Sequence, residues 1–389
     1  MKSEQAKGTL WDSPTTWQAY CDQACKNELL TQDERQYVRF GLGVLGNAFG
    51  DDFLQHIFRL NLPKGKQRHP LVYILNNGAP STQLYAGRLG EILEILKKVP
   101  RFQSLQKLLK DASMFDSAIA HAEVAARLKN VGYKIELEPN VGNSKADVLA
   151  RENDDEFFIE VSTVGEGDEG KYARETAHDV WPLILVRGCI PAGHIHRILS
   201  EGERDKYQSE IEEAIAEVQL KGVCREIEHK EALDIFVGPR DKVAELDACL
   251  RAKGMERGCV GPPYTTDQIS RVMTRLGEKT RQLEDKPGIV VVYANDLTPF
   301  YMEPDQVLEE MACGMEMTIA SKDNIMLLVL VVPEGCFEYQ NRYTRRDIGN
   351  RTIVQRPLVR EVRETIQVVK NMNARFACPT KIFDAFLSP

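Results

Sequence analysis

Apolar residues recur every three or four positions through the first 112 residues, as in Val38-Leu42-Leu45 and Leu89-Ile92-Leu93-Leu96. That is the period of an amphipathic helix, and Trp17-Tyr20 opens the same pattern. A helical N-terminal domain over 1–112 is predicted, broken by one short strand at Leu71–Leu75 before the Asn76-Asn77-Gly78 turn. From Phe115 the pattern changes. A helix through Leu128 stops at Asn130-Val131-Gly132, and three predicted strands follow: Tyr133–Glu138, Ala146–Ala150 and Glu156–Val164. The last two are joined by the turn Arg151-Glu152-Asn153-Asp154-Asp155. Beyond them the pattern predicts a strand at Trp181–Val186, a long charged helix at Glu203–Leu220, a strand at Leu233–Val237 and a helix at Thr266–Leu283. Two aliphatic runs, Ile289–Ala294 and Ile325–Val332, lack alternation, as central strands covered on both faces do. The predicted fold class is therefore α/β: a helical N-terminal region, then a core over 113–389 with an α+β insertion at 188–262.

At 389 residues the chain exceeds what one hydrophobic core usually organises, which also favours two domains. The polar start MKSEQAKGTL lacks the apolar run of a signal peptide, and Ile325–Val332 is too short to span a bilayer. A cytoplasmic protein with no membrane partner is expected. Its nine cysteines form no CxxC pair, so reduced thiols are expected rather than a metal cluster or disulfide framework. The formal charge of −8 excludes a polycation that coats nucleic acid unaided, but the charges are unevenly placed. Eight acids and no base lie between Glu152 and Glu169. By contrast, Arg342 to Arg375 holds nine Lys or Arg against three acids. Within this basic segment, taken as 340–376, Arg342, Arg345, Arg346 and Arg351 alternate with Tyr339 and Tyr343 and are the candidate nucleic-acid contacts. The spacing Val359-Val362-Ile366-Val369 equally traces an amphipathic helix.

The strand pair carries the chemistry. If its turn is symmetric about Asn153-Asp154, Asp147 lies across from Glu160, and their side chains share one face. Ser162 shares that face, while Ile159 and Val161 point to the apolar side. Two opposed carboxylates repel unless a positive charge lies between them, and a hard divalent cation suits oxygen ligands. A third acid, Glu123, sits in the small-residue helix run Ala118-Ile119-Ala120-His121-Ala122-Glu123-Val124-Ala125-Ala126. It is either part of this site or an i,i+4 partner of Arg127.

The run HAEVAARLKNVGYKIELEPNVGNSKADVLARENDDEFFIEVST resembles the core of the PD-(D/E)xK, restriction-endonuclease-like nucleases: a Glu-bearing helix, a strand, an Asp-bearing strand, then a strand carrying ExK. The resemblance covers about 50 residues, and a Lys-bearing helix before an aliphatic strand at 266–294 adds to it. It implies an α/β/α core with a mixed sheet, in which Glu123, Asp147 and Glu160 bind Mg²⁺ or Mn²⁺. The implied function is metal-dependent phosphodiester hydrolysis of DNA or RNA, the ion activating water. This chain departs from the motif at its lysine, where it has Ser162. A hydroxyl can hydrogen-bond a water but carries no charge. The missing cation must come from elsewhere, or the fold serves as a non-cleaving nucleic-acid-binding or scaffold module.

Lys279 is the first candidate donor. It flanks the apolar face Ile269-Val272-Leu276-Leu283 of the predicted 266–283 helix, where its amine either reaches the site or snorkels to water. Lys145, two residues before Asp147, is the second. Two weaker patterns remain. Gly41-Leu42-Gly43-Val44-Leu45-Gly46 fits GxGxxG but follows no strand, so a small-residue helix contact is expected there. His194-Ile195-His196 lacks a third metal ligand nearby. The helical N-terminal region is the candidate surface for a second copy or a protein partner.

Overall fold

In the computed structural model, residues 16–59, 69–141, 144–153, 155–165, 168–263, 268–283, 285–294, 304–335, 343–359 and 362–388 are described. The chain divides into two compact units, residues 1–164 with 270–389, and residues 165–269.

The first unit begins with α1 (Trp17–Cys25), α2 (Gln32–Phe49), α3 (Asp51–Arg59), α4 (Pro70–Asn76), α5 (Pro80–Leu96), α6 (Phe102–Leu109) and α7 (Phe115–Asn130). Local chemistry explains their starts: Thr31 and Glu34 form a capping box on α2, and His69 accepts from the Leu71 N–H ahead of Pro70. That cap makes Leu71–Leu75 helical, not the strand its short apolar run predicts. The glycines of the GxGxxG run lie inside α2 and make a helix crossing. A Cβ on Gly41 would strike the Gly87 backbone of α5, and a Cβ on Gly90 would strike Gly41.

Next come β1 (Lys134–Leu137), the short pair β2 (Asn140–Val141) and β3 (Ser144–Lys145), β4 (Val148–Glu152) and β5 (Asp155–Val164). The second unit is formed by α8 (Asp168–Val186), β6 (Cys189–Ile195), α9 (Glu201–Lys221), β7 (Arg225–His229), β8 (Leu233–Pro239), α10 (Val243–Ala252) and β9 (Cys259–Val260). Its sheet runs β7-β8-β6-β9. Ile211 and Ile215 of α9 join Val180 and Ile184 of α8 on one cluster with Ile235, while Leu246 and Leu250 of α10 pack with Ala192 and Phe236. Trp181–Val186, predicted as a strand, is the last third of α8. A continuous apolar run fits either period, and here Val180, Trp181 and Ile184 bury one helical face. The insertion is correspondingly wider than the predicted 188–262.

The chain then re-enters the first unit through α11 (Gln268–Gln282), β10 (Gly288–Ala294), α12 (Pro304–Ile319), β11 (Ile325–Gly335), β12 (Thr344–Ile348), β13 (Arg351–Val359), β14 (Val362–Lys370) and α13 (Thr380–Leu387). The eight-stranded sheet has the order β1-β4-β5-β10-β11-β14-β13-β12. Its first three strands are antiparallel, β5, β10 and β11 run parallel, and the remaining strands are antiparallel. This is a mixed α/β fold behind a helical N-terminal region. Val359-Val362-Ile366-Val369, which reads as a helix, spans the β13–β14 hairpin. Residues Glu364 to Val369 are all buried, so both strand faces are covered and the apparent helical period is coincidental. Nor do residues 1–112 make a domain of their own. Leu45, Leu89 and Leu96 share one apolar cluster with Ile159, Val291 and Val329 of the sheet, because α5 and α7 pack together on it. No helix among the described residues is long and apolar enough to cross a membrane. The eight described cysteines are free thiols.

Candidate active site

The β4–β5 turn closes tightly because Asn153 adopts a left-handed backbone, φ 54°, a conformation asparagine tolerates better than most residues. Pairing from Glu152↔Asp155 to Val148↔Ile159 then fixes the register. One step further, Asp147 stands beside Glu160. The Val161 N–H donates to Asp147 Oδ2 at 2.8 Å, which locks the carboxylate onto β5. Along β5, Ile159 and Val161 belong to the core shared with α7, so alternation turns Glu160 and Ser162 to the other face.

Lys279 from α11 meets the two acids there. Its ammonium donates to Glu160 Oε2 at 2.7 Å and to Asp147 Oδ2 at 3.1 Å. α11 presents Lys279 because Leu276 and Val272, one and two turns earlier, are fully buried and set the helix face. The Glu160 side chain is 2% exposed and that of Lys279 18%. Burial, then the charge of Asp147, pushes the Glu160 carboxyl up to about 7, and Lys279 offsets only part of this. Burial opposes the charge on Lys279 too, but Asp147 and Glu160 together hold its ammonium above the usual lysine range. Near neutral pH Glu160 is thus divided between its two protonation states, while Lys279 stays charged. On the other side of Asp147, His121 Nε2 lies 3.7 Å from Oδ1. Ser162 is half-buried beside Val292 of β10, and its hydroxyl makes no hydrogen bond among the described residues.

Glu123 is not part of this constellation. Tyr293 pairs with Thr163, on the strand face opposite Glu160, and the Tyr293 hydroxyl donates to Glu123 Oε2 at 3.2 Å. Glu123 is also bound by Arg127 Nη2 at 3.4 Å, the i,i+4 partner, and by Arg88 Nε at 3.5 Å. The same Arg127 Nη2 reaches both oxygens of Glu364 at 2.8 Å, and Arg356 Nε donates to Glu364 Oε1 at 2.7 Å. The three-acid ligand set is therefore not assembled: α7 turns Glu123 into a buried ion cluster across the sheet. Among the described residues no group of three His, Cys, Asp or Glu side chains could hold a metal ion.

Lys145 is exposed on β3 and makes no contact with the acids. His194 and His196 stack edge to face, 6.2 Å between centroids, with no third ligand. Much of the basic segment is neutralised in place. Arg345 is paired with Asp347, and Arg351 is clamped by Glu309 and Glu316 at 2.8 Å each. Arg346 is exposed on β12, and Arg342 lies outside the described residues. Sequence reasoning missed His121 beside Asp147, the Glu123 partners Arg88 and Tyr293, and Glu364, which shares Arg127 with Glu123. Only the lone acid in an apolar helix run hinted at the latter. No protein-family model, curated protein or solved structure matches this chain.

Proposed function

We propose that this chain hydrolyses phosphodiester bonds in nucleic acid, in a Mg²⁺- or Mn²⁺-dependent reaction at Asp147, Glu160 and Lys279. The observation that carries this reading is the delivery of Lys279 from a separate helix into hydrogen-bond contact with both Asp147 and Glu160. The order α7-β1-β4-β5-α11-β10, with three antiparallel strands and a parallel fourth, supports the PD-(D/E)xK resemblance. The donor set suits the ion. Two hard carboxylates on neighbouring strands leave room for water and phosphate oxygens, the usual surroundings of Mg²⁺. When bound, the ion would lower the pKa of a water and offset charge on the attacked phosphate.

The chain's own residues have separate tasks. Asp147 is held by the Val161 N–H, so its free lone pairs keep one direction. Glu160 supplies the second carboxylate of the site only when ionised, so cleavage should fall as pH drops below about 7. Lys279 orients the attacking water and meets the developing negative charge.

Plasmid, single-stranded DNA and RNA incubated with Mg²⁺ or Mn²⁺ test the proposal. Asp147→Ala with Glu160→Ala should abolish cutting, and cutting that survives would sink it. Lys279→Ala should cost about 100-fold or more, by analogy with removal of one oxyanion donor. Ser162→Lys in that background should recover part of the loss. A second reading has its own support: Lys279 already neutralises both carboxylates directly, as a non-cleaving binding or scaffold module would need. It is favoured if no substrate is cut and no divalent ion binds.

A further inference from the structure

On the sheet face opposite Glu160, the carboxyl ends of β5 and β10 open into a cavity of about 380 Å³ between α5, α7 and the β13–β14 hairpin. Open α/β sheets commonly bind ligands outside the carboxyl ends of their strands, and this volume suits a molecule of 15–20 heavy atoms, roughly. Five hydroxyls line it; that of Tyr293 is bound to Glu123, and the other four are those of Ser81, Thr82, Tyr85 and Thr163. None of the four side chains has a hydrogen-bond partner among the described residues. These four hydroxyls are open to a ligand that enters the cavity.

The charges narrow the ligand class. The ionisable side chains lining the cavity, apart from its two phenols, are acids: Asp116, Glu123 and Glu364. Among the described residues no lysine, arginine or histidine lines it, so a phosphate or carboxylate would meet the three acids first. Nor is the cavity built for a cation. Glu123 and Glu364 are already held from behind by Arg88, Arg127 and Arg356. A neutral ligand fits this balance. Its polar edge must both donate and accept, since a hydroxyl does both and an arginine-bound carboxylate still has lone pairs to spare. Burial, with Glu123 and Asp116 nearby, raises the Tyr85 phenol well above its ordinary value, so it remains a donor. The rest of the lining, the Tyr85 and Tyr293 rings with the aliphatic Ile119, Leu358 and Val362, suits a flat, apolar body.

We propose that this cavity binds an uncharged nucleobase or nucleoside, without its phosphate, at a site separate from Asp147, Glu160 and Lys279. The test is calorimetry on the full chain with adenosine, guanosine, cytidine and uridine in EDTA, so that neither metal nor cleavage enters. At least one nucleoside should bind one to one, and its 5′-monophosphate should bind about tenfold more weakly or worse, a difference of about 1.4 kcal/mol. Tyr85→Phe and Thr163→Val, each removing one hydroxyl with little change in shape, should weaken the nucleoside about threefold to tenfold. Ala120→Leu should fill the space and block it, with thermal unfolding to verify that each variant is folded. The proposal is overturned if none of the four nucleosides binds at millimolar concentration, or if the monophosphate binds more tightly. It is also overturned if folded Tyr85→Phe and Thr163→Val both bind as the parent does, or if agmatine, a small cation, outcompetes every nucleoside.

Discussion

Glu160 decides what the dyad does with pH. Its carboxyl is raised from 4.5 to about 7, so between those values the folded chain binds more protons than the unfolded chain. Stability then falls as pH rises through this window, by at most about 3 kcal/mol at 1.36 kcal/mol per unit. Lys279 does not confuse the measurement. Its pKa is raised, so its contribution is intact below the unfolded lysine value and lost only at alkaline pH. In EDTA, urea unfolding at pH 5 and pH 8 should show the native chain losing about 1–3 kcal/mol relative to Glu160→Gln. A native chain that gains relative to the variant would contradict the burial of Glu160 against Asp147. Adding Mg²⁺ at pH 8 should return stability to the native chain and not to the variant, because an ion bound only by the folded state stabilises it. No such recovery would favour the non-cleaving reading. This pair was legible in the sequence because a short turn sets the register by counting. Lys279 was legible from its flank position on an apolar helix face. The place of Glu123 was not: its partners Arg88 and Tyr293 stand 35 and 170 positions away, Glu364, which shares Arg127 with it, stands 241 away, and no local pattern encodes them.

At the scale of elements, long periodic segments declared themselves and short apolar runs did not. α2, α5 and α9 span several turns and show one apolar stripe, so their type follows from spacing. Leu71–Leu75 and Trp181–Val186 are too short to separate a period of 2 from one of 3.6, and a cap or a neighbouring helical turn settled each. The glycines of α2 illustrate the reverse case, a motif whose chemistry is decided by its surroundings. Gly41, Gly87 and Gly90 let α2 and α5 approach backbone to backbone, while Gly43 faces open space. Gly90→Ala should therefore force the helices apart and lower unfolding stability by about 2–3 kcal/mol, a typical overpacking cost. Gly43→Ala should be neutral or stabilise by up to about 1 kcal/mol, the helix-propensity gain. Urea titrations of the two variants check the contrast. Equal destabilisation by both would show that the crossing is not made by these glycines.

At the scale of the molecule, residues 165–269 are inserted between β5 and α11, the elements that supply Glu160 and Lys279. The sequence pointed to an insertion at 188–262, because a charged helix at Glu203–Leu220 and a strand at Leu233–Val237 separate the acid-bearing strand pair from the helix that carries Lys279. Its limits were hidden, since α8 reads as a loop and a strand. The insertion carries its own sheet and buries side chains on both of its faces, with α8 and α9 on one side and α10 on the other. A unit with its own core and about 105 residues lies within the usual domain range, so it has what independent folding requires. Produced alone, residues 165–269 should give a cooperative urea transition with a slope of about 1–2 kcal/mol/M, as expected for a domain of that size. A broad, non-cooperative loss of helix signal would show that this unit borrows its stability from the rest of the chain. Because Lys279 must reach Glu160 across the point of insertion, the same measurement bears on the site: an insertion that folds by itself can leave β5 and α11 to pair on their own terms, whereas one that cannot would tie the placement of Lys279 to its folding.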